Sequence, residues 1–81
     1  MHLTLIGKPG CHLCDDARQV IEGVIRDLPD PEVVLDEQSI LDDDRLRDEY
    51  WDQIPVVLID GVMHTYWRVD PARLRAALTA R

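Results

Sequence analysis

The sequence is poor in basic residues. Nine lysines and arginines stand against sixteen acidic residues in a chain of 81, so the formal net charge is −7 and the basic residues are dispersed. Proteins that bind nucleic acid neutralise phosphates with clustered lysine and arginine, and anionic membranes attract the same side chains. The composition therefore argues against nucleic acid and against membrane surfaces as partners.

Long hydrophobic runs are also missing. Outside the helical pattern described below, the longest wholly apolar run is Val56–Ile59, whereas a membrane-spanning helix takes about 20 residues. Residues 1–10 lack the charged stretch, the long apolar stretch and the small-residue cleavage site of a secretory signal. We therefore expect a cytoplasmic protein with no membrane span.

Cysteine is scarce, since Cys11 and Cys14 are the two that the chain has. A disulfide between residues three positions apart closes a very short loop, which restrains the unfolded chain much less than a long loop would. A disulfide between Cys11 and Cys14 would therefore stabilise the fold only slightly. A second C-x-x-C or an H-x-x-x-H, which would complete a structural zinc site, is absent from the sequence.

What the chain does have is the composition of a folded protein. Hydrophobic residues make up 46% of it and charged residues 31%, far from the balance of a disordered chain. The length suffices for one domain, and the sequence shows no internal repeat, low-complexity segment or linker. We expect a single domain over residues 1–81.

The first half of the chain predicts a βαβ unit. Residues 2–6 alternate polar and apolar types, which is typical of a strand with its leucines on one face. Residues 13–28 carry one helical apolar stripe, which Pro29 and Pro31 end. Residues 32–36 contain a short β-branched run, and the long helical crossover makes this second strand parallel to the first.

The second half predicts a short helix, a hairpin and a last helix. Asp42, Asp43 and Asp44 can cap and charge the start of a helix that carries Leu46 and Tyr50, a simpler interpretation than metal binding. The remaining elements are strands at Val56–Ile59 and 62–67 around the turn signal Asp60-Gly61, and a helix with Asp70 as N-cap and Pro71 in its first turn. The whole order predicts an α/β fold with a four-stranded mixed sheet flanked by helices.

The C-x-x-C of Cys11 and Cys14 directly follows the first predicted strand. In an apparently cytosolic βαβ chain, this is the context of a thioredoxin-like redox motif. Cys11 stands at the predicted helix N-terminus, where backbone N–H groups favour a thiolate, and Cys14 lies one turn further in. We predict that Cys11 attacks a substrate disulfide and that Cys14 resolves the mixed disulfide.

Charged neighbours act on this pair in both directions. Lys8 and His12 add positive charge that favours the reactive thiolate of Cys11, whereas Asp15 and Asp16 oppose it. Two other interpretations of the cysteines stay open. They can be small buried hydrophobes, or they can bind a metal with some of the histidines, mostly through ligands shared between two chains; those histidines are His2, His12 and His64.

Three segments of the sequence together resemble the glutaredoxins. The resemblance rests on K-P-G-C-H-L-C at residues 8–14, on Ile54-Pro55-Val56 before the hairpin and on Asp60-Gly61 at its turn, and it covers nearly the whole chain. It is strongest for the short glutaredoxin-like proteins with a C-x-L-C motif, long grouped as a domain of unknown function, which also have an aromatic residue where Trp67 stands.

The resemblance implies a thioredoxin-type fold and a set of site residues. Pro55 would be a cis proline beside the C-x-x-C, the backbone of Ile54 would pair with bound substrate, and Lys8 would meet a carboxylate of glutathione. We assign Cys11 and Cys14 to catalysis and Lys8, His12, Ile54 and Pro55 to substrate binding. Pro55 as a simple helix stop and Lys8 as a solvated loop charge stay open.

The chain departs from the glutaredoxin pattern in two places. His12 and Leu13 replace the usual proline and tyrosine between the cysteines, and residues 63–68 replace the Gly-Gly and acidic pair that hold the γ-glutamyl end of glutathione. Tyr66 and Trp67, as neighbours on a strand, would face opposite sides, so that one can be core while the other is exposed. An exposed aromatic there could contact a protein partner, but core packing is the simpler expectation. Glutathione dependence is therefore left open.

We predict a thiol-disulfide oxidoreductase that reduces protein or low-molecular-weight disulfides. Its expected partners are a disulfide-containing protein or small thiol substrate and a reductant, either glutathione or a reductase. No tightly bound cofactor is expected, and glutathione would act as a co-substrate. The alternatives are a module that carries a metal or an iron-sulfur cluster between two chains, and an interaction domain that has the fold without turnover.

Overall fold

Four strands and three helices form within residues 1–28 and 33–79, the parts of the chain that the computed structural model describes. The elements are β1 His2–Gly7, α1 His12–Asp27, β2 Val34–Ser39, α2 Asp44–Tyr50, β3 Val56–Ile59, β4 Val62–Tyr66 and α3 Pro71–Thr79. Their order confirms the predicted succession. The predicted helix stop at Pro29 and Pro31 and the predicted strand start at residue 32 lie outside the described residues.

The strands form one mixed sheet in the order β2-β1-β3-β4. β1 runs parallel to β2 and antiparallel to β3, and β4 runs antiparallel to β3, as predicted. Ile6 near the end of β1 pairs with Val56 at the start of β3. This register places the segment that follows β1 beside the segment that precedes β3, at one end of the sheet.

α1 owes its position to its apolar stripe. Ala17, Ile21 and Val24 are buried along one side of it, the 3.6-residue spacing of a helix that packs on a sheet. The helix ends at Asp27, and Leu28 already has extended backbone angles. No helix within residues 1–28 and 33–79 is long and apolar enough to cross a membrane.

β1 is buried on both faces, with its two leucines on one of them as predicted. Its leucines pack with Val57, α1 and α3, while Ile6 packs with Val56 and Ile40 near the side chains of α2. Thr4 is buried as well. The reason is tertiary, because helices cover both faces of a central strand.

β2 ends later than predicted. The predicted strand covered residues 32–36, whereas the structure pairs His2 with Val34 and continues to Gly7 opposite Ser39. Asp36 and Glu37 are exposed in it, which an edge strand tolerates. The length of the parallel ladder with β1, rather than β-propensity, decides where β2 ends.

The hairpin and the last helix follow their local signals. Asp60 and Gly61 have φ angles of 50° and 82°, the left-handed pair that a two-residue hairpin turn needs. The carboxylate of Asp70 accepts a hydrogen bond from the backbone N–H of Ala72 at 2.9 Å, which confirms Asp70 as the cap of α3. β4 stops at Tyr66, one residue earlier than predicted.

Candidate active site

The cysteine pair is built at the N-terminus of α1. Cys11 is the N-cap residue, with φ −88° and ψ 114°, and its Sγ accepts a hydrogen bond from the Cys14 N–H at 3.2 Å. The two residues are joined by a disulfide. Cys11 is half-buried, whereas Cys14 is only 2% exposed. An incoming thiol or disulfide therefore meets Cys11 first.

Gly7 provides the space that the buried cysteine needs, a role that the sequence reasoning missed. A Cβ at Gly7 would lie 2.8 Å from Cys14 Sγ and 3.1 Å from its Cβ, which is closer than real side chains approach. The last residue of β1 must therefore be glycine for Cys14 to occupy its position. The signal was present, since this glycine ends the strand just before the motif, but a turn explained it equally well.

The Ile54-Pro55 peptide bond is cis, as the resemblance implied. Pro55 is buried and directly precedes Val56, which pairs with Ile6 in β1. The neighbour of Ile6 is Gly7, which touches Cys14. The register of β1 and β3 thus brings the proline segment to the same end of the sheet as the cysteine pair.

Trp67 fastens the proline segment, and sequence reasoning did not find this role. Its backbone N–H donates to the carbonyl of Pro55 at 2.8 Å, and its indole Nε1–H donates to the carbonyl of Asp52 at 2.9 Å. It lies just after β4 with φ 67°. The expectation of core packing for Tyr66 and Trp67 is wrong, because they are 48% and 54% exposed and stack edge to face.

A polar cleft of about 370 Å³ opens on the Cys14 side of α1. Lys8 is exposed and lines it together with Cys14. Arg18 joins α1 to β2 there by donating to Glu37, and it also bonds Asp15 at 3.0 Å. Hydrogen bonds first to Glu37 and then to Asp15 raise the pKa of Arg18 above its ordinary value. Arg18 thereby offsets part of the negative charge that Asp15 brings near the thiols.

The histidines are placed apart from each other. The His12 side chain is 91% exposed at the start of α1, with its Nε2 4.0 Å from the Asp16 carboxylate. His2 contacts Asp36 at 3.1 Å, and His64 is half-buried on β4. Among residues 1–28 and 33–79, no three His, Cys, Asp or Glu side chains come together as a metal site would require.

The sequence-assigned site residues fall into three places. Cys11 and Cys14 form the disulfide, with Lys8 in the cleft beside Cys14. Pro55 lies at the same end of the sheet, and Ile54 is half-buried against the core that contains Ile6 and Val56. His12 points to solvent. The disulfide is thus flanked by the proline segment and by a charged cleft.

Comparisons with known proteins agree with this geometry. A mycobacterial protein described as uncharacterized, found in Mycobacterium tuberculosis and Mycobacterium bovis, is 34% identical over 76 residues, which cover 91% of this chain and 78% of that protein. The crystal and solution structures of a structural genomics target protein from X. campestris both match with a TM-score of 0.76 and 32% identity. The crystal structure's match covers 98% of this chain and 97% of that one, and the solution structure's match covers 100% and 96%.

The family model described as "Glutaredoxin-like domain (DUF836)" matches residues 2–79. That span includes all seven elements and the disulfide-bonded pair. The chain therefore belongs to the glutaredoxin-like domain family and has its thioredoxin-like fold.

Proposed function

We propose that the protein is a thiol-disulfide oxidoreductase that cycles between a Cys11-Cys14 dithiol and the disulfide. The observation that carries the proposal is the unequal placement of the two sulfurs. Cys11 is accessible and caps α1, whereas Cys14 is buried one turn inside the helix. This arrangement suits one cysteine for attack and the other for resolution.

The helix N-terminus supplies the electrostatics. Unpaired backbone N–H groups and the helix dipole stabilise negative charge in the first turn, and the N–H of Cys14 already points at Cys11 Sγ. The thiolate of Cys11 attacks a substrate disulfide, and one substrate sulfur leaves as a thiolate that takes a proton. The thiolate of Cys14 then attacks Cys11 Sγ and releases the second substrate thiol. Two electrons have moved from the dithiol to the substrate, and an external thiol reductant restores them.

Glutathione is the proposed co-substrate on the side where Lys8 stands. The exposed Lys8 ammonium beside Cys14 supports a carboxylate contact there, and Pro55 with Ile54 supports a substrate backbone contact. A small dithiol or a reductase serves equally well as the electron donor in this scheme. We propose that the cycle takes place in the cytoplasm, as part of electron transport and cell redox homeostasis.

The experiment is a reaction of the reduced protein with bis(2-hydroxyethyl) disulfide. The wild type is expected to oxidise to the intramolecular disulfide, with release of two thiols per protein. Cys14→Ser is expected to stop at a mixed disulfide on Cys11, visible as a mass increase, and Cys11→Ser is expected not to react at a comparable rate. Undiminished turnover by Cys11→Ser would refute the proposal, and equal trapping by both variants would refute the assigned roles.

A further inference from the structure

A groove of about 490 Å³ lies between the C-terminal half of α1 and the first turns of α3, and we call it the α1–α3 groove. Its walls are mostly apolar, and each contains a small residue, Gly23 on α1 and Ala72 on α3. Gly23 follows Cys11 by twelve residues, which is about 18 Å along a helix. The groove is therefore separate from the disulfide, and the function proposed above gives it no role.

Gly23 has no explanation within a single chain. It lies inside a helix of 16 residues, where glycine is the least favourable residue after proline. In the described part of the chain, a Cβ at this position would meet nothing within 4 Å, so packing does not require a glycine there. The missing side chain leaves the backbone of α1 open to close approach by another molecule.

Two opposite charges flank the α1–α3 groove, Asp27 on the α1 wall and Arg75 on the α3 wall. Both residues are exposed, and within residues 1–28 and 33–79 neither side chain forms an ion pair with another described residue. A groove with one negative and one positive wall is complementary in charge to a copy of itself that is turned over. The charges thus point to a second copy of this chain as the occupant.

A two-fold axis that runs along the groove relates the two copies. It lays the α1 wall of each copy on the α3 wall of the other, so the contact between Asp27 and Arg75 of the second copy forms twice, as an isologous interface requires. The apolar walls of both copies are removed from water. Gly23 and Ala72 leave room for the helices of the two copies to approach each other.

The net charge of −7 is not concentrated on this face of the molecule. Residues 19–27 of α1 contain one arginine and two acidic residues, and α3 contains two arginines and no acidic residue. These two segments together therefore carry +1, and the surplus of acidic residues lies elsewhere in the chain. At physiological salt, charges more than about 8 Å apart in solvent are largely screened, so the distant acidic residues oppose association only weakly.

We propose that the α1–α3 groove is the interface of a symmetric homodimer, in which Asp27 of each copy pairs with Arg75 of the other. The dimer leaves Cys11 accessible, because the N-terminus of α1 lies outside the groove. The inference does not rest on the redox function proposed above. Two helices from each copy make a small interface, so the expected dissociation constant is about 10–100 μM.

The test measures the mass of the full chain by sedimentation equilibrium, with a reductant present so that no disulfide joins two copies. The wild type is expected to pass from monomer to dimer between about 1 μM and about 1 mM. Asp27→Arg and Arg75→Asp each place like charges opposite one another at both contacts, and each is expected to weaken dimerisation at least about tenfold. An equimolar mixture of the two variants is expected to dimerise like the wild type, because each variant then meets opposite charges.

Gly23→Gln tests the groove itself. Glutamine favours a helix more than glycine does, so the single chain is not expected to lose stability, whereas the added side chain fills the groove and is expected to prevent dimerisation. Glu22→Arg is the matched control for Asp27→Arg, since Glu22 is exposed on the same helix but does not line the groove. It is expected to leave the dimer intact. Far-ultraviolet circular dichroism verifies that each variant is folded.

Four results would overturn the homodimer. One is a wild type that stays monomeric up to about 1 mM, and another is a dimer that Gly23→Gln leaves intact, because its interface then lies elsewhere. A third is loss of the dimer in both charge variants without recovery in their mixture. The last is equal weakening by Glu22→Arg and Asp27→Arg, which would assign the effect to net charge. Restoration of the dimer in the mixture alone supports the reciprocal pairing of Asp27 with Arg75.

Discussion

Gly7 shows how a single residue shapes the cysteine pair. The hydrogen atom in place of a side chain leaves room for Cys14 Sγ, which otherwise would lie 2.8 Å from a methyl group. Trp67 acts at the same scale from the other side, because its N–H groups hold the carbonyls of Pro55 and Asp52. Gly7 thus sets the position of Cys14, and Trp67 sets the position of the Pro55 segment.

Gly7→Ala is expected to destabilise the protein by about 1–3 kcal/mol, because a well-packed site must shift to admit the methyl group. Urea unfolding of the oxidised protein measures the change. Gly23→Ala is the matched control, since a Cβ there meets nothing within 4 Å; in a helix that change is expected to stabilise by up to about 1 kcal/mol. If both variants unfold at the same urea concentration, the contact with Cys14 has no energetic weight.

Because of His64, the free energy of unfolding is expected to decrease in mild acid. Leu58 of β3 pairs with Met63 of β4, and Val57 pairs with Thr65, so His64 between them is a bulged residue with no partner in the ladder. Burial, and then the charge of Arg73, lower the pKa of His64 from its ordinary value of 6.5. Below about pH 6.5 the unfolded chain therefore binds this proton more readily than the folded one, so the free energy of unfolding drops as pH falls toward the folded-state pKa.

The measurement for His64 is urea unfolding at about pH 7.5 and about pH 5.5, for wild type and for His64→Gln. In the described part of the chain the buried Nε2 has no hydrogen-bond partner, so the substitution breaks no hydrogen bond at that atom. The wild type is expected to lose more stability than the variant between the two conditions. Parallel losses would mean that His64 does not contribute to the pH dependence.

At the scale of elements, caps and pairing partners decide boundaries. Three consecutive aspartates stand at the start of α2, and the N-cap among them is Asp43, whose carboxylate accepts a hydrogen bond from the Arg45 N–H at 2.8 Å. β2 extends as far as β1 offers partners, although its own residues have weak strand preference. A short helix and an edge strand therefore depend on their neighbours more than α1 does.

Asp43→Ala is expected to cost about 1 kcal/mol, the usual effect of losing an N-cap. Asp42→Ala removes the same charge one residue earlier, where the side chain caps nothing in α2, and is expected to change stability less. Thermal unfolding of both variants separates capping from net charge. Equal shifts for the two would assign the effect to repulsion among acidic residues.

For the whole molecule, the sheet divides the core into two layers. Leu3, Leu5 and Val57 face α1 and α3, whereas Ile6 and Val56 face the α2 side. Both layers use residues of β1 and β3, the two central strands. The disulfide lies at the end of these strands, so the core supports the site directly.

Leu74→Ala is expected to lower the free energy of unfolding by about 2–5 kcal/mol, because the lost side chain leaves a cavity. Leu74 is 0% exposed and packs from α3 into the core layer that contains Leu3, Leu5 and Val57. Each kcal/mol corresponds to about 4–8 °C in the melting temperature of a domain this small. Leu41→Ala is the control, because Leu41 is 65% exposed. A melting temperature that is equally lowered by both would contradict the core assignment.

Most of the fold follows from local signals. The stripe of α1, the Asp60-Gly61 turn and the Asp70 cap are encoded within a few residues of each other, so periodicity and turn chemistry predict them. The two site segments are also predictable from the sequence. The C-x-x-C is recognised by its place after a strand, and the cis Ile54-Pro55 bond is implied by the resemblance to glutaredoxins. Burial of both faces of β1 could not be predicted, because the same strand pattern is compatible with a sheet that is covered on one face.

The sequence by itself determined the element order, the parallel β1-β2 pair and the two sulfurs three residues apart. Only the tertiary structure decided that Gly7 touches Cys14, that Trp67 holds the proline segment and that a groove lies between α1 and α3. The physical reason is range. Periodicity and turn chemistry act between neighbours in the chain, whereas these contacts join residues that come together only when the strands pair.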